Sequence, residues 1–240
     1  MNISTFQSNL DFIKSLYFHE EWKDEKCKEK IVEAIEECNQ KILDAFGWSM
    51  HKLDKHKPSF EAVEKVVKKF PSTLTYENHG RIPIQSAAAA RNITKEYLTI
   101  LAKEGVRQKV GGEEARGGLL TIEPKSDGYN TLQFMCSFVA KEVDDRERYD
   151  ITFLQVFKEL RKIGLLHKND IYEQQLLYFC CNNDTWKRFT YLLDWDHTAL
   201  FTTRVEGDPL IHKLRDFRED FCLALETGFR YHQSIGGLLY

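Results

Sequence analysis

The strongest constraint on this chain is a stop signal that recurs along it. Three stretches with helical apolar spacing end on a polar or charged pair, a glycine and then an apolar residue: Lys103-Glu104-Gly105-Val106, Lys162-Ile163-Gly164-Leu165 behind Arg161, and Glu226-Thr227-Gly228-Phe229. A glycine just past a helix takes up the left-handed conformation without Cβ strain, and the apolar residue behind it folds back on the last turn. Repetition of such a unit predicts an array of short helix pairs, so the sequence speaks more clearly about architecture than about ligand.

At 240 residues and 42% hydrophobic content, the chain has enough apolar material for a sizeable core. A net charge of −3 supplies no global attraction to phosphate backbones, so nucleic acid is not an expected partner. The start, Met1-Asn2-Ile3-Ser4-Thr5-Phe6-Gln7, lacks the basic head and apolar stretch of a secretory signal. Apolar runs such as Ala87-Ala88-Ala89-Ala90 fall far short of the roughly 20 residues needed to cross a bilayer. The six cysteines, Cys27, Cys38, Cys136, Cys180, Cys181 and Cys222, show no paired metal-ligand spacing and read as buried, reduced thiols. These features predict a soluble protein of the cytoplasm or nucleus without a membrane partner.

Along the chain, Ile31, Ile35, Cys38, Ile42 and Phe46 form the stripe of an amphipathic helix ending near Gly47, and residues 1–57 read as an N-terminal helical cap. A second helix opens at Ser59, carries Phe60, Val63, Val67 and Phe70 inward, and stops at Pro71. The lysines around it, 52, 55, 57, 65, 68 and 69, are interleaved with Glu61 and Glu64 and read as a solvated face. In the first pair, Gly80 makes a turn, Pro83 starts a helix rich in alanine, and the return helix through Tyr97, Leu98 and Leu101 ends at Gly105. In the second, Asn130 caps a helix through Leu132, and the return runs from Thr152 through Phe153, Val156, Phe157 and Leu160 to Gly164. A third pair covers 170–181 and 185–193, closed by Trp195. A fourth opens at Asp208-Pro209-Leu210 and returns through Phe217, Phe221 and Leu225 to Gly228.

Turn glycine, cap, Pro or Thr, an aliphatic residue, small residues and a return helix ending in glycine resemble the ankyrin repeat. Set against Gly-x-Thr-Pro-Leu-His-x-Ala-Ala, Gly80-Arg81-Ile82-Pro83-Ile84-Gln85-Ser86-Ala87-Ala88 keeps glycine, proline, aliphatic residue and alanines but loses Thr and His, and with them the hydroxyl–imidazole bond of that turn. The second copy keeps Gly128 and Leu132 with Asn130 and Thr131 substituted; the fourth keeps Pro209 and Leu210 with Asp208 as cap and His212 displaced by one. Pro83 to Thr131 spans 48 residues and Thr131 to Pro209 spans 78, against about 33 for an ideal copy, so insertions are expected. The first turn, the segment from Val110 to Leu120 and Leu193-Asp194-Trp195-Asp196 are also similar to divergent ankyrin-like proteins of diatoms and other unicellular algae.

Motifs for chemistry are weak. The glycine-rich Val110-Gly111-Gly112-Glu113-Glu114-Ala115-Arg116-Gly117-Gly118 lacks the Lys-Ser or Lys-Thr ending of a phosphate loop, and its glutamates repel an anion; it reads as a lengthened inter-repeat loop. His19, His51 and His56 have no ligand partners at zinc spacing, and Cys180-Cys181 beside Asp184 has no neighbouring His. The run Asp144-Asp145-Arg146-Glu147-Arg148-Tyr149-Asp150 mixes both signs and reads as a solvated loop between helices. Asp194, Asp196 and His197 around Trp195 are closer to a site and support an alternative, a small hydrolase or transferase; as helix-end residues they read first as capping and surface packing.

The expectation is therefore an all-α, ankyrin-like helical-repeat solenoid: N-terminal capping helices over 1–57 and about four divergent pairs over 58–240. The apolar ending Ile235-Gly236-Gly237-Leu238-Leu239-Tyr240 reads as the cut edge of a longer array, which leaves a purely structural fragment as a further alternative. The resemblance implies a scaffold that binds another protein without catalysis, cofactor or metal. The residues expected at the contact surface are Arg81, Arg107, Glu113, Arg116, Tyr129 and Arg204.

Overall fold

The computed structural model describes residues 37, 40, 41, 46, 47, 49–53, 58–90, 94–123, 128–140, 142–181, 185–202, 204, 205 and 208–210. The chain divides into two compact units, Met1–Asp44 and Ala45–Tyr240. In the first, Glu37, Gln40 and Lys41 are helical and Lys41 pairs with Glu37 at 2.5 Å; Ile31, Ile35, Cys38 and Ile42 of the expected stripe lie outside the described residues. Everything below concerns the second unit, which includes Met50 and Leu53, at 4% and 2% exposure, from the segment expected to be cap.

The described part is helical. Its helices are α1 (Phe60–Lys69), α2 (Pro83–Ala88), α3 (Lys95–Arg107), α4 (Thr131–Ser137), α5 (Val143–Lys162), α6 (Lys168–Glu173), α7 (Leu176–Cys181), α8 (Trp186–Trp195) and α9 (Ala199–Thr202), with 3-10 turns at Pro71–Leu74 and Glu113–Gly118. Two-residue strands β1 (Arg204–Val205) and β2 (Asp208–Pro209) pair antiparallel, Arg204 opposite Pro209. Asp208 and Pro209 are thus a strand leading into Leu210, where a helix cap and first turn were expected; the rest of the fourth pair lies outside the described residues.

Contacts between helices follow chain order. Of the short first helices, α2 touches α4 and α4 touches α7; of the longer ones, α1 touches α3, α3 touches α5 and α5 touches α8. Capping residues set several starts as the sequence predicts. The Ser59 hydroxyl accepts from the Ala62 amide at 3.2 Å, Asn130 Oδ1 accepts from the Gln133 amide at 2.9 Å, and α1 stops just before Pro71. Val63 and Val67 are buried in α1, while Phe60, expected inside, is 39% exposed and sets its ring edge to face with Tyr97 at 5.0 Å.

Two helix endings show what the glycines do. Gly164 sits at φ +73 past α5, its amide donating to Arg161 and that of Leu165 to Leu160, the expected left-handed cap. Gly105 is instead two residues inside α3. The same cap is built around Lys109 at φ +54, whose amide donates to Val106 while that of Val110 donates to Gly105, so the apolar residue that folds back is Val110 at 3% exposure and Val106 stays 40% exposed. Gly105 is needed for close approach: a Cβ there would lie 2.5 Å from the Gly117 carbonyl oxygen. Gly47 likewise lies among helical residues, not at their end, with Tyr76 where its Cβ would be.

The largest departure from the sequence reading is the charged run from Asp144 to Asp150, which forms the opening turns of α5 and not a loop. Asp150 is 6% exposed and faces Arg188 of α8, itself 1% exposed. Arg188 Nε donates to Asp150 Oδ1 at 2.7 Å, and its remaining nitrogens donate to the carbonyls of Met135 and of Phe138 (3.0 Å) at the end of α4. Asp150 Oδ2 also accepts from the Lys187 amide at 2.7 Å, capping α8 from another helix where its own Thr185 makes no side-chain cap. Phe153 lies beneath the guanidinium at 5.2 Å.

Breaking a buried ion pair from one side strands the other charge, which costs roughly 3–5 kcal/mol. Arg188→Met should therefore lower the unfolding free energy by about that much, and Arg188→Met with Asp150→Leu should recover only a part of it, because the Met135 and Phe138 carbonyls and the first amides of α8 stay without partners, as read from urea denaturation. At the other contact, Gly105→Ala should cost about 1–3 kcal/mol by overpacking against Gly117, whereas Lys109→Gly, which relieves a left-handed residue, should not destabilise.

Candidate protein-binding surface

Each of three turns closes by a short antiparallel bridge just before a helix begins: Asn78 with Arg81 before α2, Ile122 with Asn130 before α4, and β1 with β2 before Leu210. Three of the six expected contact residues, Arg81, Tyr129 and Arg204, fall on these tips, while Arg107 ends α3 and Glu113 and Arg116 lie in the 3-10 turn that follows it.

The six do not share one environment. Arg81, in the first tip, sends Nε to the carboxylate of Glu123 in the second tip, a glutamate only 4% exposed. Arg116, in the 3-10 turn at φ +46, reaches Asp170 of α6, which is fully buried. Both arginines therefore tie one part of the fold to the next. Arg107 and Glu113 keep side chains 62% and 74% exposed, paired with Glu104 and Lys109 on their own segment. Tyr129 is half-buried and meets Phe179 of α7 edge to face at 4.9 Å. Arg204 is in β1.

Two residues that the sequence reading passed over tie one segment of the second unit to the next. Gln85 stands where the ankyrin pattern has His. Its Oε1 accepts from the Ile82 amide at 3.0 Å and its Nε2 donates to the Thr121 carbonyl, 36 residues on, also at 3.0 Å. Gln133 occupies the matching place in α4, with Oε1 accepting from the Asn130 amide at 3.0 Å and Nε2 donating to the Gln174 carbonyl at 3.2 Å. One amide thus closes its own turn and grips the next segment, both halves of its hydrogen-bonding capacity in use. The available signal was that Gln stands three residues after the cap of both α2 and α4, as it does in a capping box.

The first helices present an unusual composition. Residues 82–90, 130–140 and 174–181 carry no charged side chain in a chain that is 30% charged. Along them Phe134, Phe138, Tyr178 and Phe179 are half-buried and pack against the core. Between the first two tips, Gln85, Ala88, Glu123, Tyr129, Asn130, Thr131 and Phe134 line a shallow depression.

Elsewhere the candidate groups are engaged structurally. Asp196 Oδ1 accepts from the Thr198 hydroxyl at 2.6 Å at the start of α9 and lies 3.4 Å from Lys168 Nζ, while Asp194 is exposed and His197 half-buried. The glycine-rich turn packs on α3, with Leu119 1% exposed. Cys136, Cys180 and Cys181 are buried free thiols, and burial pushes Cys136 well above its usual range, an effect reinforced by Cys180. Cys27, Cys38, Cys222, His19, His56 and Asp184 lie outside the described residues. Among the described residues no cluster of His, Cys, Asp or Glu is placed to hold a metal ion, and no helix is long and apolar enough to cross a membrane.

No family model matches the chain, and no curated protein and no solved structure does either.

His51 braces α2 from outside: Nε2–H donates to the Tyr76 carbonyl at 2.8 Å and Nδ1 accepts from the Ser86 hydroxyl at 2.6 Å. Burial lowers its pKa from 6.5, outweighing the opposing bond to Tyr76. The unfolded chain then takes up the proton first, so this contribution is intact above pH 6.5 and is lost as pH falls from there through the folded value. Between pH 7.5 and about 5, His51→Gln should lose less melting temperature than the parent protein, as calorimetry would read.

Proposed function

We propose that this chain is a protein-binding scaffold built on divergent ankyrin-like repeats, acting without catalysis, in the reducing cytoplasm or nucleus. The observation that carries the reading is the duplicated glutamine reach. Gln85 and Gln133 make the same two bonds from the same helical position; the bond to the cap amide is one that any capping box makes, and the recurrence of the second, long-range bond is what supports copies of one structural unit. The chain-order contacts α2–α4–α7 and α1–α3–α5–α8, and the bridged tips before α2, α4 and Leu210, support a solenoid in which each pair leans on its neighbours.

In such an array the row of first helices and tips forms the recognition face, and here that face is free of charge along its helices and lined with half-buried aromatic side chains. Aromatic side chains offer large contact areas at little entropic cost, as protein interfaces require. The exposed Arg107 and Glu113 belong to its charged margin. The partner is a protein, with neither nucleic acid nor membrane implied.

The test is selection of a displayed random-peptide library on the whole chain. Peptides recovered should bind Phe134→Ser/Tyr178→Ser at least tenfold more weakly, about 1.4 kcal/mol, with the helical circular-dichroism signal retained. Recovery of no peptide, or equal affinity for parent and variant, would remove the proposal.

A further inference from the structure

We propose that the seam between α5 and α8 carries, near the C-terminal ends of both helices, a docking point for a carboxylate of an acidic segment in the protein partner, received by Arg161 and Lys158 on the rings of Tyr191 and Trp195. The proposal rests on the scaffold reading for the kind of partner and on these four side chains for the chemistry.

Contacts between α5 and α8 run in the same direction along both helices and change in character on the way. Toward the start the charges are paired: Lys187 Nζ lies 3.0 Å from Glu147, and Arg188 is bound to Asp150. Toward the end they are not. Lys158 and Arg161, one turn apart on α5, both reach the Tyr191 ring, with Nζ 5.7 Å and Cζ 6.0 Å from its centroid, and the Arg161 guanidinium carbon lies 4.1 Å from the centroid of Trp195. Both cations are exposed and both rings half-buried. Aromatic faces attract cations through the ring quadrupole, which is how two like charges are held over one ring.

The rings leave the hydrogen-bonding edge of the guanidinium unsatisfied. Among the described residues the N–H donors of Arg161 have no acceptor. In the other described helices and turns up to α8, Arg81, Arg107, Arg116, Arg148 and Arg188 each reach a carboxylate and Arg146 reaches a carbonyl. The acids next in sequence do not serve Arg161: Glu159 lies 3.5 Å from Lys162, and the exposed Asp194 forms no ion pair with either cation. A cation in the last turn of a helix answers the macrodipole, which accounts for basic residues at the end of α5 but not for a ring platform that draws them sideways across the seam.

A guanidinium steadied by an indole loses less freedom on binding, and its planar fork matches a carboxylate two bonds at a time. Lys158 adds a second positive charge without a fixed direction. Glu159 and Asp194 limit the local excess of positive charge, which suits an isolated carboxylate better than the closely spaced charges of a phosphate backbone.

The experiment is an NMR titration of the isotopically labelled full chain with acetylated, amidated tetraglutamate, beside tetraglutamine and inorganic phosphate. Saturable shifts are expected at the Trp195 indole and the Tyr191 ring with tetraglutamate, none with tetraglutamine, and weaker binding of phosphate. Arg161→Gln should weaken tetraglutamate binding at least tenfold and Lys158→Gln about threefold, with the helical circular-dichroism signal retained because both side chains are exposed. Lys162→Gln, which removes an equal charge already facing Glu159, should bind as the parent does. Equal responses to tetraglutamine, tighter binding of phosphate, shifts confined to other residues, or a loss in Lys162→Gln as large as in Arg161→Gln would overturn the proposal. The scaffold reading is decided separately, by library peptides on Phe134→Ser/Tyr178→Ser, substitutions in α4 and α7; if those peptides lose affinity while tetraglutamate fails to bind, only the carboxylate site falls.

Discussion

The guanidinium of Arg188 is 1% exposed and makes the junction on which the middle of the fold depends. It joins three helices at points where each is otherwise incomplete: carbonyls of Met135 and Phe138 at the end of α4, the carboxylate of Asp150 in α5, and its own helix α8, whose first amides that carboxylate caps. A hydrophobic residue of equal volume would bury as much surface, but it would leave those carbonyls and amides without partners. The charges are thus held in place by backbone groups at the end of one helix and the start of another. Phe153 lies against the guanidinium, and Phe157, Leu160, Phe189 and Leu192 belong to the same buried core, each at most 1% exposed.

A similar economy governs the tips. Arg81 to Glu123 and Arg116 to Asp170 each connect parts of the chain that are 42 and 54 residues apart, and in each the acid is the more deeply buried partner. Long-range ion pairs of this kind fix where one turn sits on the next, while the exposed pairs Lys109–Glu113 and Lys68–Glu64 are short-range and add little.

Much of the helical outline was legible in the sequence because local signals fixed it. Ser59, Pro71, Pro83, Asn130 and Gly164 start or stop helices by rules that need no distant partner. The failures have a common cause, which is that the deciding contact was remote. Asp150 reads as one more surface charge until Arg188, 38 residues later, turns it inward. Gly105 has the look of a terminator because nothing nearby reveals that Gly117 must pass within van der Waals range. At Gln85 the loss of His removes the hydroxyl–imidazole bond of the turn, and the sequence alone did not show that the replacement supplies a different pair of bonds. The surface residues were half legible: Arg81 and Tyr129 do lie at the tips, but that an arginine would be spent on an internal acid could not be read from spacing.

The glutamine tethers carry a consequence for where the fold can hold its shape. An imidazole at the same position would gain a proton in a mildly acidic setting and exchange an acceptor for a donor, releasing the amide it had been holding. A carboxamide has no such transition between weak acid and weak base. The links from Gln85 to Thr121 and from Gln133 to Gln174 therefore keep the same donors and acceptors over the whole range that living compartments span, and the register between neighbouring helix pairs is insulated from their acidity.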